Sequence, residues 1–436
     1  MPPTLLERVN ALSGQEVQRC VHCHTCTAGC PSAAAMEYGP DRLLRLVQFG
    51  QEERLLTSRD VWLCLGCGLC GALCPNEIDI AQVVSALRQM AHQAPFGPLL
   101  NAPDCAGLRE ALAAYLLARP SAQIDDRLCA GVQRLNRLGE TIAAARNISG
   151  DDNAARLLWS QNLERVPQGL ERRAGAHLVY FVGCVASLYP RSYGVPQAMA
   201  RLLAASAEAG GDSFTTLGGQ EWCCGYPLLS LGRLEAARSL IEHNVEQVRA
   251  LGAERIVFAC PSCYHMWKHI YPQVLDGALG LDVLHATEWL DQSLAAGTLR
   301  PRSLPLRVTY HDPCDLGRKS GVFDAPRRVL ARIPGLEFVE LGESAAISTC
   351  CGGGGNLESF DPEVVSALAL GRLDRACEAL FGAGGPPAGA LALVSACQQC
   401  ERTLTAAVRR HAGARQARLR VLDVAEVVTQ AVEGGA

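Results

Sequence analysis

The stretch Glu221-Trp-Cys-Cys-Gly-Tyr-Pro227 sets two thiols side by side with a glycine directly after them. The same order returns in Thr349-Cys-Cys-Gly-Gly-Gly-Gly355. Around each copy, further cysteines stand at matching relative positions. Cys184 precedes the first and Cys260-x-x-Cys263 follows it; Cys314 precedes the second and Cys397-x-x-Cys400 follows it. Coincidental core thiols, or a strained vicinal disulfide, leave those companions unexplained. The pattern reads as an internal duplication carrying a set of thiolates in each half.

Short apolar runs rich in β-branched residues lead into four of these groups. HLVYFVGC ends at Cys184, RIVFACPSC reaches Cys260 and Cys263, LRVTYHDPC ends at Cys314, and ALVSACQQC reaches Cys397 and Cys400. Each reads as a buried strand with cysteine at or just past its carboxyl end. Helical text such as AARSLIEHNVEQVRAL and DPEVVSALALGRLDRACEAL lies between them. Alternating strands and helices predict an α/β fold with parallel strands, whose sites gather at the strands' carboxyl ends. Four cysteine groups and two Cys-Cys-Gly loops can therefore converge, with the two Rossmann-like halves facing each other about a pseudo-twofold axis. The ligands of each half outnumber what a cubane needs, so a cluster of another shape is expected. By ligand type alone, a cubane or zinc in one half stays open. Glycine after the pair lets the backbone approach and offer N–H groups to the sulfurs.

Nearer the N-terminus the pattern differs. Cys20-Val-His-Cys23-His-Thr-Cys26-Thr-Ala-Gly-Cys30-Pro31 and Cys64-Leu-Gly-Cys67-Gly-Leu-Cys70-Gly-Ala-Leu-Cys74-Pro75 both follow the C-x2-C-x2-C-x3-C-P spacing of bacterial-type ferredoxins. Three close thiolates hold one cubane and the fourth crosses to the other. Cys20, Cys23 and Cys26 thus pair with Cys74, and Cys64, Cys67 and Cys70 with Cys30. Zinc knuckles would use pairs of pairs instead. His22 and His24 are expected outside the ligand shell or exposed. The insert PDRLLRLVQFGQEERLL has a helical rhythm, with Pro40 and Asp41 suited to a helix start. The fold class is therefore multidomain α+β: a helical ferredoxin part over residues 1–95, a helical spacer over 96–175, and duplicated α/β halves over 176–302 and 303–436.

Composition narrows the function classes. The 436 residues carry a net charge of −4, with 49% hydrophobic and 19% charged residues, which gives no sign of a nucleic-acid partner. No signal peptide precedes residue 20 and no window reaches about 18 uncharged apolar residues, so a cytoplasmic chain is expected. In that compartment 21 cysteines mean metal or catalysis rather than disulfides. Only Cys105, Cys129 and Cys377 fall outside the patterned groups, and they read as buried thiols. The stretch APFGPLLNAPD reads as a Pro-rich linker, and the rest of the spacer carries no chemical motif. Asn147-Ile-Ser149 matches a glycosylation acceptor only by chance.

His311, in His-Asp-Pro-Cys314, and His265, just after Cys263, are candidate proton donors to a leaving thiolate. An ordinary hydrogen-bonded histidine is the plainer reading of each. Arg318 and Lys319 suit either an anionic substrate or a solvated helix start. Gly352–Gly355 is no phosphate loop, because no Lys-Ser/Thr follows it. Nothing marks a flavin or nicotinamide site, so electrons must come from a partner.

On these residues the chain resembles the heterodisulfide reductase family. The duplicated Cys-Cys-Gly pattern is similar to its B subunit, the N-terminal motifs to its C subunit, and their order to the fused D subunit. The resemblance leaves out residues 96–175. It implies a noncubane 4Fe-4S cluster on Cys184, Cys223, Cys224, Cys260 and Cys263, and another on Cys314, Cys350, Cys351, Cys397 and Cys400, beside two cubane 4Fe-4S clusters. It further implies a disulfide reductase (or, in reverse, a thiol oxidase) that splits its substrate between the two halves. The partner would be a flavoprotein of the heterodisulfide reductase A type or a membrane cytochrome subunit, which would place the chain at the cytoplasmic face of the membrane. The alternative is a non-catalytic relay between a dehydrogenase or flavoprotein and a quinone or cytochrome partner.

Overall fold

The apolar runs before the cysteines are short, and so are the strands they form. In the computed structural model, which describes residues 2–92, 107, 126–382, 385 and 387–434, every strand has between three and six residues. The linker stretch 94–104 and Cys105 lie outside the described residues. The chain divides into two units: Met1–Glu140 with Pro227–Ala236 and Gly352–Leu368, and Thr141–Tyr226 with Ala237–Cys351 and Ala369–Ala436.

The first unit is helical. Thr4 and Glu7 form a capping box at the start of helix Leu5–Ser13. The insert between the ferredoxin-type motifs forms helices Gly39–Gln48 and Glu52–Leu56, burying Leu43, Leu44, Val47, Leu55 and Leu56 as its rhythm predicts. The buried Asp60 carboxylate accepts the N–H groups of Glu37, Tyr38 and Gly39 at 2.9, 2.7 and 3.0 Å, tying the second motif to the start of the insert. Arg88, on helix Ile80–Ala91, donates to the carbonyls of Val61, Ser230 and Cys64 at 2.9, 2.7 and 2.6 Å. Gly355 lies so near the second motif that an added Cβ would stand 2.5 Å from the Leu65 carbonyl oxygen. The segments that follow the two Cys-Cys-Gly loops therefore belong to the ferredoxin-bearing unit.

The second unit holds two four-stranded sheets, every neighbouring pair parallel. β1 (Leu178–Phe181), β2 (Phe214–Thr216), β3 (Arg255–Phe258) and β4 (Asp282–His285) are ordered β2-β1-β3-β4. β5 (Leu306–His311), β6 (Leu336–Val339), β7 (Ala390–Ser395) and β8 (Arg420–Asp423) repeat this as β6-β5-β7-β8. The four runs read from sequence are β1, β3, β5 and β7, the two central strands of each sheet; β2, β4, β6 and β8 complete the edges. Parallel central strands are covered on both faces, which is why their text is continuously apolar. Helix Gly194–Glu208 packs against helix Val424–Glu433, and helix Ala286–Ala296 against helix Asp324–Ala331, joining the halves. No helix among the described residues is long and apolar enough to cross a membrane.

Candidate metal centres

In the first unit, one cavity is lined by Cys30, Cys64, Cys67 and Cys70 and a second by Cys20, Cys23, Cys26 and Cys74. This is the crossed grouping that the spacing predicts. One-turn helices, Thr25–Ala28 and Leu69–Ala72, begin inside the two motifs and present their cysteines inward. Burial pushes the Cys26 thiol up to about 11 and the Cys30 thiol up to about 12, so each needs a cation before it ionises. The Gly66 N–H donates to Cys64 Sγ at 3.3 Å, as backbone amides do around cluster thiolates. His22 stands beside Cys20, Nδ1 to Sγ 3.9 Å, and its Nε2 meets Gln48 at 2.8 Å. His24 meets Asp41 at 2.8 Å. Both histidines support the motif from outside the sulfur grouping.

In the second unit, the first half closes a chain of sulfur contacts: Cys184 to Cys223, Cys223 to Cys224, Cys224 to Cys263, and Cys263 to Cys260. Contacts from Cys223 and Cys263 pull the Cys224 thiol below its ordinary range, which suits a metal ligand. Gly225 has φ +88° and its N–H donates to Cys223 Sγ at 3.5 Å. A Cβ there would meet Ala237 at 2.8 Å, so helix packing and positive φ demand the glycine. Gly352 repeats this, with φ +88° and a Cβ that would meet Leu368 at 2.9 Å.

In the second half Cys350 meets Cys351, Cys351 meets Cys400 with sulfurs 3.3 Å apart, and Cys400 meets Cys397. Contacts from Cys350 and Cys400 hold the Cys351 thiol well below its ordinary range. Cys314 is half-buried and lies beside Tyr226 and Lys319. His311, at the end of β5, places a ring nitrogen within 4.8 Å of Cys351 and Cys400. Its Nδ1 accepts from Arg372 Nε at 3.0 Å, and its Nε2 has no hydrogen-bond partner among the described residues. Burial, with Arg372 alongside, holds this imidazole below its ordinary range. His311 is therefore a neutral ring, protonated on Nε2, beside Cys351 and Cys400.

A polar bridge joins the halves. Asp315 accepts from Tyr226 Oη at 3.0 Å and from Ser262 Oγ at 2.6 Å, and pairs with Lys319 at 2.7 Å. His265 meets Ser320 at 3.2 Å; burial first, then Lys319, pushes it down to about 4. Gln398, between Cys397 and Cys400, donates to the Val182 carbonyl at 3.3 Å, beside the first cysteine set. Arg318 donates to the Ser348 carbonyl, so neither it nor Lys319 is a solvated helix start.

Two results lay outside the sequence reading. Arg156, from the supposed spacer, is buried and donates to Cys184 Sγ at 3.1 Å, to Glu221 at 2.8 Å and to Ser187 at 3.0 Å. Glu221 also accepts the N–H groups of Val182 and Gly183, both at 2.8 Å. The one available signal was Glu221 itself, an acid two residues before a pair of buried thiols. Of the three unpatterned cysteines, Cys377 is a buried free thiol, but Cys129 is disulfide-bonded. Asn147 is fully buried and binds the Ala145 and Asp151 carbonyls at 3.1 and 2.8 Å, which rules out a glycan there.

The Cysteine-rich domain family, CCG, matches residues 178–268 and 308–405, and the 4Fe-4S dicluster domain family matches residues 19–79. The D subunit of the dihydromethanophenazine:CoB–CoM heterodisulfide reductase of Methanosarcina acetivorans is 29% identical over 424 residues, 91% of this chain and 90% of that protein. The chain is a homologue of heterodisulfide reductase D subunits, with domains in the order of a C-subunit-like part followed by a B-subunit-like part. It has a dicluster ferredoxin domain ahead of two CCG domains, and it is an iron–sulfur electron-transfer protein. The B subunit of the fumarate reductase (CoM/CoB) of Methanothermobacter marburgensis is 27% identical over 81% of this chain and 62% of its own length. An EtfAB:quinone oxidoreductase of Syntrophomonas wolfei is 32% identical over 58% of this chain and 34% of its own length.

Proposed function

We propose that this chain is the iron–sulfur subunit in which a disulfide is reductively cleaved, or thiols oxidised in the reverse direction, between the two CCG halves. The observation that carries this reading is the pair of buried sulfur networks, one in each half, bridged through Gln398 and the Asp315 cluster. Cys184, Cys223, Cys224, Cys260 and Cys263 would hold one noncubane 4Fe-4S cluster, and Cys314, Cys350, Cys351, Cys397 and Cys400 the other. The donor set fits: soft sulfur ligands, thiolate-favoured Cys224 and Cys351, and N–H donors aimed at sulfur. When bound, such clusters supply one electron each, so that a disulfide with two electrons and two protons yields two thiols. Cys20, Cys23, Cys26 and Cys74, and Cys30, Cys64, Cys67 and Cys70, would hold the cubanes that bring those electrons in.

The working division is 1–95 for electron entry, 96–175 as scaffold, and 176–302 with 303–436 for the two facing, pseudo-twofold-related Rossmann-like halves. The chain would act in the cytoplasm, with a flavoprotein of the heterodisulfide reductase A type or a membrane cytochrome supplying electrons. Metal analysis of the purified chain tests the assignment. About sixteen irons per chain and no zinc are expected from four four-iron clusters; half that iron, with zinc making up the rest, refutes it. The second reading, a relay without substrate chemistry, draws on the relative named as an EtfAB:quinone oxidoreductase.

A further inference from the structure

In the first CCG half a guanidinium reaches sulfur directly. Arg156 lies on the 3-10 helix Asn153–Asn162, ahead of β1 and outside residues 178–268, the stretch that matches the CCG family. That helix packs against helix Cys184–Leu188 and against the short helix Gly218–Gln220, which leads into Glu221. Arg156 is buried there, and its Nη2 donates to Cys184 Sγ at 3.1 Å. Its Nε donates to Asn153 Oδ1 at 3.0 Å, and its Nη1 to Ser187 Oγ at 3.0 Å and Glu221 Oε1 at 2.8 Å.

These partners are themselves held. Asn153 Oδ1 also accepts from Asn147 Nδ2 at 2.9 Å, and Ser187 Oγ donates to the Gly183 carbonyl at 2.7 Å. Glu221 accepts the Val182 and Gly183 N–H groups just past β1. A planar fork fixed at each nitrogen cannot swing away from Cys184, a constraint that a lysine ammonium would not reproduce. The Glu221 carboxylate offsets the charge of Arg156, both side chains being 2% exposed. What remains aimed at Cys184 is the N–H donor itself. The position matching Glu221 in the second half, two residues before its cysteine pair, is Ser348.

We propose that Arg156 is a positioning residue of the first cysteine set: its hydrogen bond to Cys184 Sγ raises the reduction potential of the cluster held there, and Glu221 limits the rise. Reduction adds negative charge to a cluster and its thiolates, so a hydrogen bond to sulfur strengthens on reduction and favours the reduced form. Exclusion of water keeps that hydrogen bond strong. Glu221 orients the guanidinium, and its own negative charge opposes the added electron. The inference rests on the reading that this set holds a cluster. It gives part of the supposed spacer over 96–175 a role at that cluster.

The test is a redox titration of the iron-loaded full chain, followed by electron paramagnetic resonance with iron content measured on each sample. The signal missing from Cys224→Ser identifies the first cluster. Arg156→Met should shift the midpoint of that signal downward. Arg156→Lys keeps a charge beside Glu221 but loses the fork, and should shift it downward by less. Glu221→Gln should shift it upward. The signals of the second set and of the ferredoxin-type motifs should keep their midpoints in each variant. An unmoved first-cluster midpoint in iron-replete Arg156→Met or Arg156→Lys overturns the inference, and so does a lowered one in Glu221→Gln. Loss of the first cluster's iron from both arginine variants overturns it too, since Arg156 would then be scaffold alone. A wild-type chain that lacks the iron of this set refutes the functional reading instead.

Discussion

The first CCG half links all five of its cysteines through sulfur contacts and neutralises its buried arginine with Glu221. In the second, Cys350, Cys351, Cys400 and Cys397 are in contact, Cys314 lies near Tyr226 and Lys319, and Arg372 hydrogen-bonds neutral groups while the Asp312 and Glu343 carboxylates lie nearby. Strand order, the positive-φ glycine and even the capping boxes repeat between them. The two halves therefore share a scaffold and a cysteine pattern while the polar groups around the cysteines differ.

The severest way to break the comparison is to remove a ligand from each half. Cys224→Ser and Cys351→Ser should each cost about four irons and abolish turnover with either a physiological or a small artificial donor. Cys67→Ser, by contrast, should lose a cubane and the physiological supply while turnover with the artificial donor largely survives. Full turnover of a cluster-depleted Cys351→Ser protein would show that the halves do not act jointly.

Removing the arginines sharpens the contrast on the stability side. Arg156→Met leaves Glu221 buried without its partner, a loss of about 3–5 kcal/mol. Arg372→Met leaves only neutral acceptors without donors, a smaller loss of about 1–3 kcal/mol. Denaturant unfolding of the two apoproteins checks the order. Equal losses would mean that Glu221 is not the charge that Arg156 offsets.

The smallest effect concerns pH. His285 caps helix Ala286–Ala296 by accepting the Thr287 N–H, and burial pushes it down to about 3. Asp423 occupies the same place in the second half. As pH falls below the ordinary imidazole range, the unfolded chain binds this proton before the folded one does. The contribution is thus complete above about pH 6.5 and declines as pH drops toward 3. His285→Asn keeps a capping side chain that does not titrate, so the fall in unfolding free energy between pH 6 and pH 4 should become shallower by about 1.4 kcal/mol per unit. An unchanged slope would remove His285 from the account.

How much of this was legible depended on whether the signal was local. Ferredoxin spacing is a short-range constraint, and it located both crossed sulfur groups. The central strands were readable because burial on both faces makes their text uniformly apolar. Edge strands such as β6, partly exposed, carry no such run, and Leu336–Val339 was missed. Arg156 was invisible for another reason. It approaches Cys184 only through the fold, from 28 residues earlier in a segment with no cysteine pattern of its own. His311 was found from its strand-end position, but its tautomer depends on Arg372, 61 residues later.

The central claim is that the two CCG halves together handle a disulfide, and electron paramagnetic resonance of the purified chain with and without added thiols tests it most directly. The account predicts that a suitable thiol or disulfide alters the signals of the CCG clusters while the ferredoxin-type signals stay unchanged. If clusters fill both halves and no thiol or disulfide perturbs their spectra, the cleavage reading is contradicted and the chain is a relay.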